Sequence, residues 1–309
     1  MEAAVEVAVA VAVATPSSLG ESPVWLGESQ ALWYCDIPAR RLHRFDPASG
    51  ERREWSFHAD IGSFAPMRGG GFIVALRDGL WHFDPDTDAR RLLAAAPYDT
   101  ASRRFNDGRC DAAGRFWVGT MDEPRRAGHA ALYCFDGGEL MQRQDGIAIS
   151  NGLAWSPDGR TMYWTDTLTH TVWAFDYRPD TGAMSGRRVF AQFASRPEGG
   201  GEAALESYRG WPDGAAVDAE GCYWVAMYGG GRVLRLSPTG EILTEVRIPA
   251  RCPTMPCFGG ADMKTIYVTS ASVKRPAGEL ERLPNSGCVF SFRVDVPGLP
   301  TEFAAPVPR

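Results

Sequence analysis

One short pattern, a turn followed by an aromatic and β-branched strand, recurs six times and restricts the fold of this chain more than any other feature. It reads QALWYCDI from Gln30, GFIVAL from Gly71, GRFWVGT from Gly114, RTMYWTD from Arg160, GCYWVAM from Gly221 and KTIYVTS from Lys264. With Ala31 as the first anchor, the steps are 40, 43, 46, 61 and 43 residues, the spacing of four-stranded propeller blades. The surroundings repeat too: RLHRFDP, GLWHFDP, AALYCFD, TVWAFDY and RVLRLSP follow five of the anchors, and more polar runs such as REWSF, ARRLLA and EILTEVRIP come after several of these. A meander of this kind has apolar faces that it cannot bury alone. Stacking six of them in a ring covers both faces and hides most strand edges. The sequence therefore predicts an all-β fold, a six-bladed β-propeller of four-stranded antiparallel blades, with residues 1–309 as one domain.

The sixth repeat is one strand short. RCPTMPCF, KTIYVTS and CVFSFRV supply three strands. Val and Ala alternate from Val5 to Val13, the period of a strand, so this N-terminal segment is expected to close the last blade. It does not read as a signal peptide, because Glu2 and Glu6 stand where positive charge is needed. The long step before the fifth anchor holds SRPEGGGEAALESYRG, which reads as a surface excursion and not as a linker.

Several function classes are excluded. The net charge is −6 and no basic stripe is present, which argues against a nucleic-acid partner. No apolar stretch is long enough to span a membrane, and a cytoplasmic location is the expectation. The seven cysteines form no CxxC pair, and several sit inside strand-like apolar runs; they read as small buried hydrophobes in a reducing compartment. The five histidines show no zinc-ligand spacing, and no G-x-S-x-G marks a serine nucleophile.

Polar residues recur at a fixed place ahead of each anchor. Glu21 lies 10 residues before Ala31, Asn106 lies 8 before Gly114, Asn151 lies 9 before Arg160 and Asp213 lies 8 before Gly221; Ser63 and Thr254 take the matching places in the second and sixth repeats. The innermost strand of each blade lines the axis, so the segment entering it faces the central mouth. Near-symmetry would then gather these side chains around one point. Carboxylate and amide oxygens without His or Cys suit a hard divalent cation, which also relieves the repulsion of two adjacent carboxylates. Arg104, two residues before Asn106, points the same way in an extended chain. Glu123 follows the third anchor and borders the mouth. Asp107, Asp111, Asp158 and Asp218 are assigned to turns.

The same segments carry a family resemblance. GESPVW, DIPARRLHRFD, RFNDGRCDAAGRFWVGTMDE, SNGLAWSPDGRTMYWTDT, PDGAAVDAEGCYWVAM, GGRVLRLSP and CFGG followed by YVT resemble the SMP-30/gluconolactonase/regucalcin family. The resemblance implies a six-bladed propeller, one divalent cation (Ca²⁺, Zn²⁺, Mn²⁺, Mg²⁺ or Fe²⁺) and hydrolysis of an aldonolactone, a small sugar lactone. By motif, it implies Glu21, Asn151 and Asp213 as metal ligands, and Arg104, Asn106 and Glu123 as substrate-binding residues. Asp213 would also act as general base and then acid, while the metal polarises the carbonyl. The competing readings are a metal-dependent esterase or phosphotriesterase on the same scaffold, and a calcium-binding protein without turnover.

Overall fold

A computed structural model describes residues 7–196 and 207–307. Its strands form six antiparallel sheets of four. Blade 1 runs outward through Gly20–Leu26, Ala31–Asp36, Arg41–Phe45 and Arg52–Ser56. The innermost strands of blades 2 to 6 are Ile61–Pro66, Arg103–Cys110, Ser150–Trp155, Trp211–Val217 and Pro253–Gly259. Each innermost strand packs against the next, and the sixth packs against the first. The ring is closed, and the fold is the six-bladed β-propeller expected from the repeats.

The burial of each strand follows its place in the blade. Ala31–Asp36 is buried throughout, because neighbouring blades cover both of its faces, whereas Arg52–Ser56 at the rim is mostly exposed. The core lies between blades. Trp33, Phe64, Phe72 and Val74 fill the gap between blades 1 and 2, and Trp117, Leu153, Trp164 and Phe175 that between blades 3 and 4. All seven cysteines are buried and free.

Blade 6 is completed from the other chain end. Ala10–Val13 pairs antiparallel with Val289–Arg293, through Ala10↔Ser291 and Val13↔Val289. Val5 and Glu6 of the expected strand, and residues 197–206 of the expected surface excursion, lie outside the described residues.

Two features were not foreseen. After the last strand, the chain runs as a strap across one end of the central channel. Ala219 N donates to Pro297 O (2.9 Å), Thr301 Oγ1 to Trp25 O (2.8 Å), Ala304 N to Pro66 O (2.8 Å) and Ala305 N to Gly114 O (2.8 Å), so the strap touches blades 5, 1, 2 and 3. Beneath it lies a cavity of about 240 Å³, lined by apolar groups including Val24, Phe64, Met255, Phe258 and Leu299. The second feature is a β-bulge in every innermost strand. The register slips by one residue between Glu21 and Val24, Ile61 and Ser63, Phe105 and Gly108, Asn151 and Ala154, Pro212 and Ala215, and Pro253 and Met255.

Candidate active site

The six recurrent polar residues all lie at these bulges. They are part of the innermost strands themselves, not of segments entering them. A bulge sets two residues against one and re-aims a side chain that would otherwise point into the packing between blades. The bend also needs room. Gly152 has φ +60°, and a Cβ there would stand 2.3 Å from Tyr223 Oη; a Cβ at Gly214 would stand 2.5 Å from Met255 Cβ. Both positions exclude larger residues, which accounts for the glycine after Asn151 and after Asp213.

Hydrogen bonds join three blades. Arg104 Nη1 donates to Asn106 Oδ1 (2.6 Å) and to Phe105 O (2.9 Å). Asn106 Nδ2 donates to Asn151 Oδ1 (2.9 Å) and Ser150 O (2.8 Å). Asn151 Nδ2 donates to Thr167 Oγ1 (2.8 Å), which donates to Pro212 O (2.8 Å) beside Asp213. The chain fixes the orientation of Asn151: its nitrogen is spent on Thr167, and its oxygen keeps a lone pair beyond the one facing Asn106. Arg104, Asn106, Asn151 and Asp213 are all at most 7% exposed.

The carboxylates of the cluster are short of positive charge. Burial, then the neighbouring Asp107 carboxylate, push Glu21 up to about 8. Burial, then Glu21 and Asp107, raise Asp213 well above the usual carboxylate range, against a lowering pull from Arg104. Burial also raises Asp107 and disfavours the charged form of Arg104. Glu21 and Asp213 thus interact, as the repeat offsets require.

Glu123 stands apart from this buried group. It is exposed and takes two hydrogen bonds from Arg77 (2.8 and 3.1 Å), which also binds Asp60 (2.7 Å). These bonds hold the Glu123 carboxyl below its usual range. Its charge still acts on Arg104.

Asp107 corrects the turn assignment. It is 5% exposed, its Oδ2 accepts from Leu153 N (2.9 Å), and its buried Oδ1 has no partner. It shares the blade 3 bulge with Asn106, so NDG presents two polar side chains and not one. Asp111 and Asp218 do cap turns, yet they are buried and paired with arginines; of the four, only Asp158 is a solvated turn residue. Thr167, Asp60 and Arg77 were also missed, since nothing in their spacing marks them.

The donor set fits a hard cation. Of three buried or half-buried carboxylates, Asp107 raises Glu21 and both of them raise Asp213, an unpartnered carboxylate oxygen lies among them, and every donor is oxygen. Among the described residues, no group of three His, Cys, Asp or Glu side chains is placed to hold a metal; a set of Glu21, Asp213 and Asn151 includes an amide oxygen and so is of another kind.

Residues 19–272 match the family model described as SMP-30/Gluconolactonase/LRE-like region. A 6-deoxy-6-sulfogluconolactonase of Pseudomonas putida is 44% identical over 93% of this chain and 94% of its own length. Regucalcin of Gallus gallus is 37% identical, covering 91% of this chain and 93% of its own. Among solved structures, a calcium-binding regucalcin from Agrobacterium tumefaciens superposes with a TM-score of 0.88 at 28% identity, over 96% of this chain and 97% of that one. With bulge-borne oxygens at one mouth of a six-bladed ring, the chain belongs to the SMP-30/gluconolactonase family.

Proposed function

We propose that the protein, a lactonase by its family and relatives, opens an aldonolactone to its aldonic acid with one divalent cation held by Glu21, Asn151 and Asp213. The observation that carries this reading is the meeting of Glu21 and Asp213 from blades 1 and 5 in a buried cluster whose negative charge lacks a match. When bound, the cation supplies Lewis-acid polarisation of the lactone carbonyl and stabilises charge developing on its oxygen. Asp213 takes a proton from the attacking water and returns it to the ring oxygen as the ester bond breaks. Arg104 and Asn106, braced by each other, hold the sugar hydroxyls and orient the ring. Glu123, fixed by Arg77, receives a hydroxyl at the rim.

The Pseudomonas relative acts, by its name, on a gluconolactone bearing a sulfonate, so that compound joins gluconolactone, galactonolactone, xylonolactone and arabinonolactone as candidate substrates. Metal-stripped protein, reloaded with each cation in turn, is assayed by acid release, with spontaneous hydrolysis subtracted. Turnover of at least one lactone that requires a cation is the expected result. Turnover of a phosphotriester alone would move the assignment to the esterase reading, and cation binding without any turnover to the calcium-binding one.

A further inference from the structure

The loop between Phe116–Asp122 and Ala130–Asp136 of blade 3 reaches past blade 4 to blade 5. At its tip, the Arg125 guanidinium carbon stands 5.6 Å from the ring centroid of Trp211. Trp211 opens the innermost strand of blade 5 and lies two residues before Asp213, about 6.6 Å along an extended strand. The contact is therefore made by a residue on the same strand as Asp213, two positions from it.

Three arginines near Arg125 have their charge engaged. Arg77 is held by Asp60 and Glu123, Arg126 by Asp122 (2.6 Å), and Arg104 is buried against Asn106 and the main chain. Arg125 has no acidic partner among the described residues. Its backbone is fixed by a hydrogen bond from its N to Asp122 O (2.8 Å), and it sits in the left-handed region at φ +60°, which non-glycine residues seldom adopt. A guanidinium held over an indole by a cation–π contact leaves its N–H donors for the two oxygens of one anion. The chain carries a net charge of −6, which disfavours an anionic ligand except where a cation is set apart to meet it.

We propose that this mouth selects a lactone bearing an anionic group, a sulfonate or phosphate, on its terminal carbon, and that Arg125 on Trp211 binds that group. The placement of the ring rests on the lactonase reading above. Gluconolactone, 6-phosphogluconolactone and 6-deoxy-6-sulfogluconolactone are compared on the cation-loaded protein, as wild type, Arg125→Gln, Arg125→Lys and Trp211→Leu. Binding of 6-phosphogluconate and gluconate is measured alongside by calorimetry.

The wild type should prefer an anionic lactone, and the faster of the two names the group. Arg125→Gln should lower the anionic-to-neutral ratio of kcat/KM about tenfold, mainly through KM. Arg125→Lys should restore part of the ratio, Trp211→Leu should lower it, and added salt should narrow it. An anionic-to-neutral ratio that Arg125→Gln leaves where it was overturns the proposal. If no lactone turns over, yet 6-phosphogluconate binds more tightly than gluconate and Arg125→Gln removes the difference, the lactonase reading falls and the anion site stands; equal binding of the two acids removes the anion site as well.

Discussion

Asp111 and Asp218 lie just past the innermost strands of blades 3 and 5, at the strap end of the channel; Asp107 and Asp213 lie on the bulges of those same two strands. All four are nearly inaccessible to solvent, yet their surroundings are opposite. Asp111 accepts from Arg115 Nε (2.6 Å), Trp117 Nε1 (3.1 Å) and the turn nitrogens of Ala113 and Arg115 (both 3.0 Å). Asp218 repeats the arrangement with Arg235 Nε (2.8 Å), Trp224 Nε1 (2.9 Å) and the nitrogens of Glu220 and Cys222 (both 3.0 Å). At the bulges there is no such match: Asp107 keeps an oxygen without a partner, and Asp213 faces Glu21. A buried carboxylate met by a guanidinium and an indole holds a turn in place. A buried carboxylate set against other carboxylates is a strained charge, of the kind found where chemistry is done.

Substitutions on the two halves of this comparison should separate activity from stability. The largest effect is expected at the bulges. Asp213→Ala should reduce cation-dependent lactone turnover by ~10³-fold or more, and Glu21→Ala should act likewise. Neither should lower the thermal midpoint of the metal-free protein, because each removes a repelled charge. Cation-dependent turnover persisting in both variants would show that the bulge carboxylates are as structural as those at the strap end.

The converse is expected of Asp111→Ala. It strands the Arg115 guanidinium, which is 5% exposed, and should cost about 3–5 kcal/mol in stability. Turnover by the remaining folded protein should stay within about twofold of wild type. Urea unfolding monitored by tryptophan fluorescence gives the first quantity. An unfolding midpoint equal to wild type would mean that the paired aspartate contributes nothing to the fold, and the contrast between the two ends would be lost.

The contrast also marks how far the sequence could be read. Blade number, closure by the N-terminal strand and the convergence of Glu21, Asn106, Asn151 and Asp213 were legible, because all three rest on periodicity, and a ring converts equal spacing into a common direction. Asp107 was not legible: whether the second residue of NDG faces a turn or the axis depends on the bulge, and one extra residue in a strand leaves no mark on composition. Asp111 and Asp218 were placed in turns correctly, but their arginines lie at different distances along the chain, at Arg115 and Arg235, so no motif announces the pairing. The strap was invisible for a related reason. Its hold on the ring is made largely by main-chain bonds such as Ala304 N to Pro66 O, which any residue other than proline can donate.

The smallest of the expected effects reports on the charges themselves. Glu21 titrates at about 8 in the folded, metal-free protein and near 4.5 when unfolded. Between these values the folded state binds more protons than the unfolded one. Its stabilising contribution is complete below the unfolded value and is lost as pH rises through about 8. The metal-free protein should therefore lose stability over that window, by at most about 1.4 kcal/mol per pH unit for one group. A cation binds the ionised form, so its affinity should climb over the same window, by up to about tenfold per pH unit, with release of a proton. Calorimetric titration in buffers of differing ionisation enthalpy measures that proton, and thermal scans with and without cation measure the stability. Glu21→Gln should make both trends shallower without removing them, because burial still raises Asp213 and Asp107, whereas Asp111→Ala should lower stability by the same amount at every pH in the window, because its partner Arg115 stays charged throughout. A pH dependence that Glu21→Gln leaves unchanged would place the unmatched charge on Asp107 and Asp213 alone, and would detach blade 1 from the cation site.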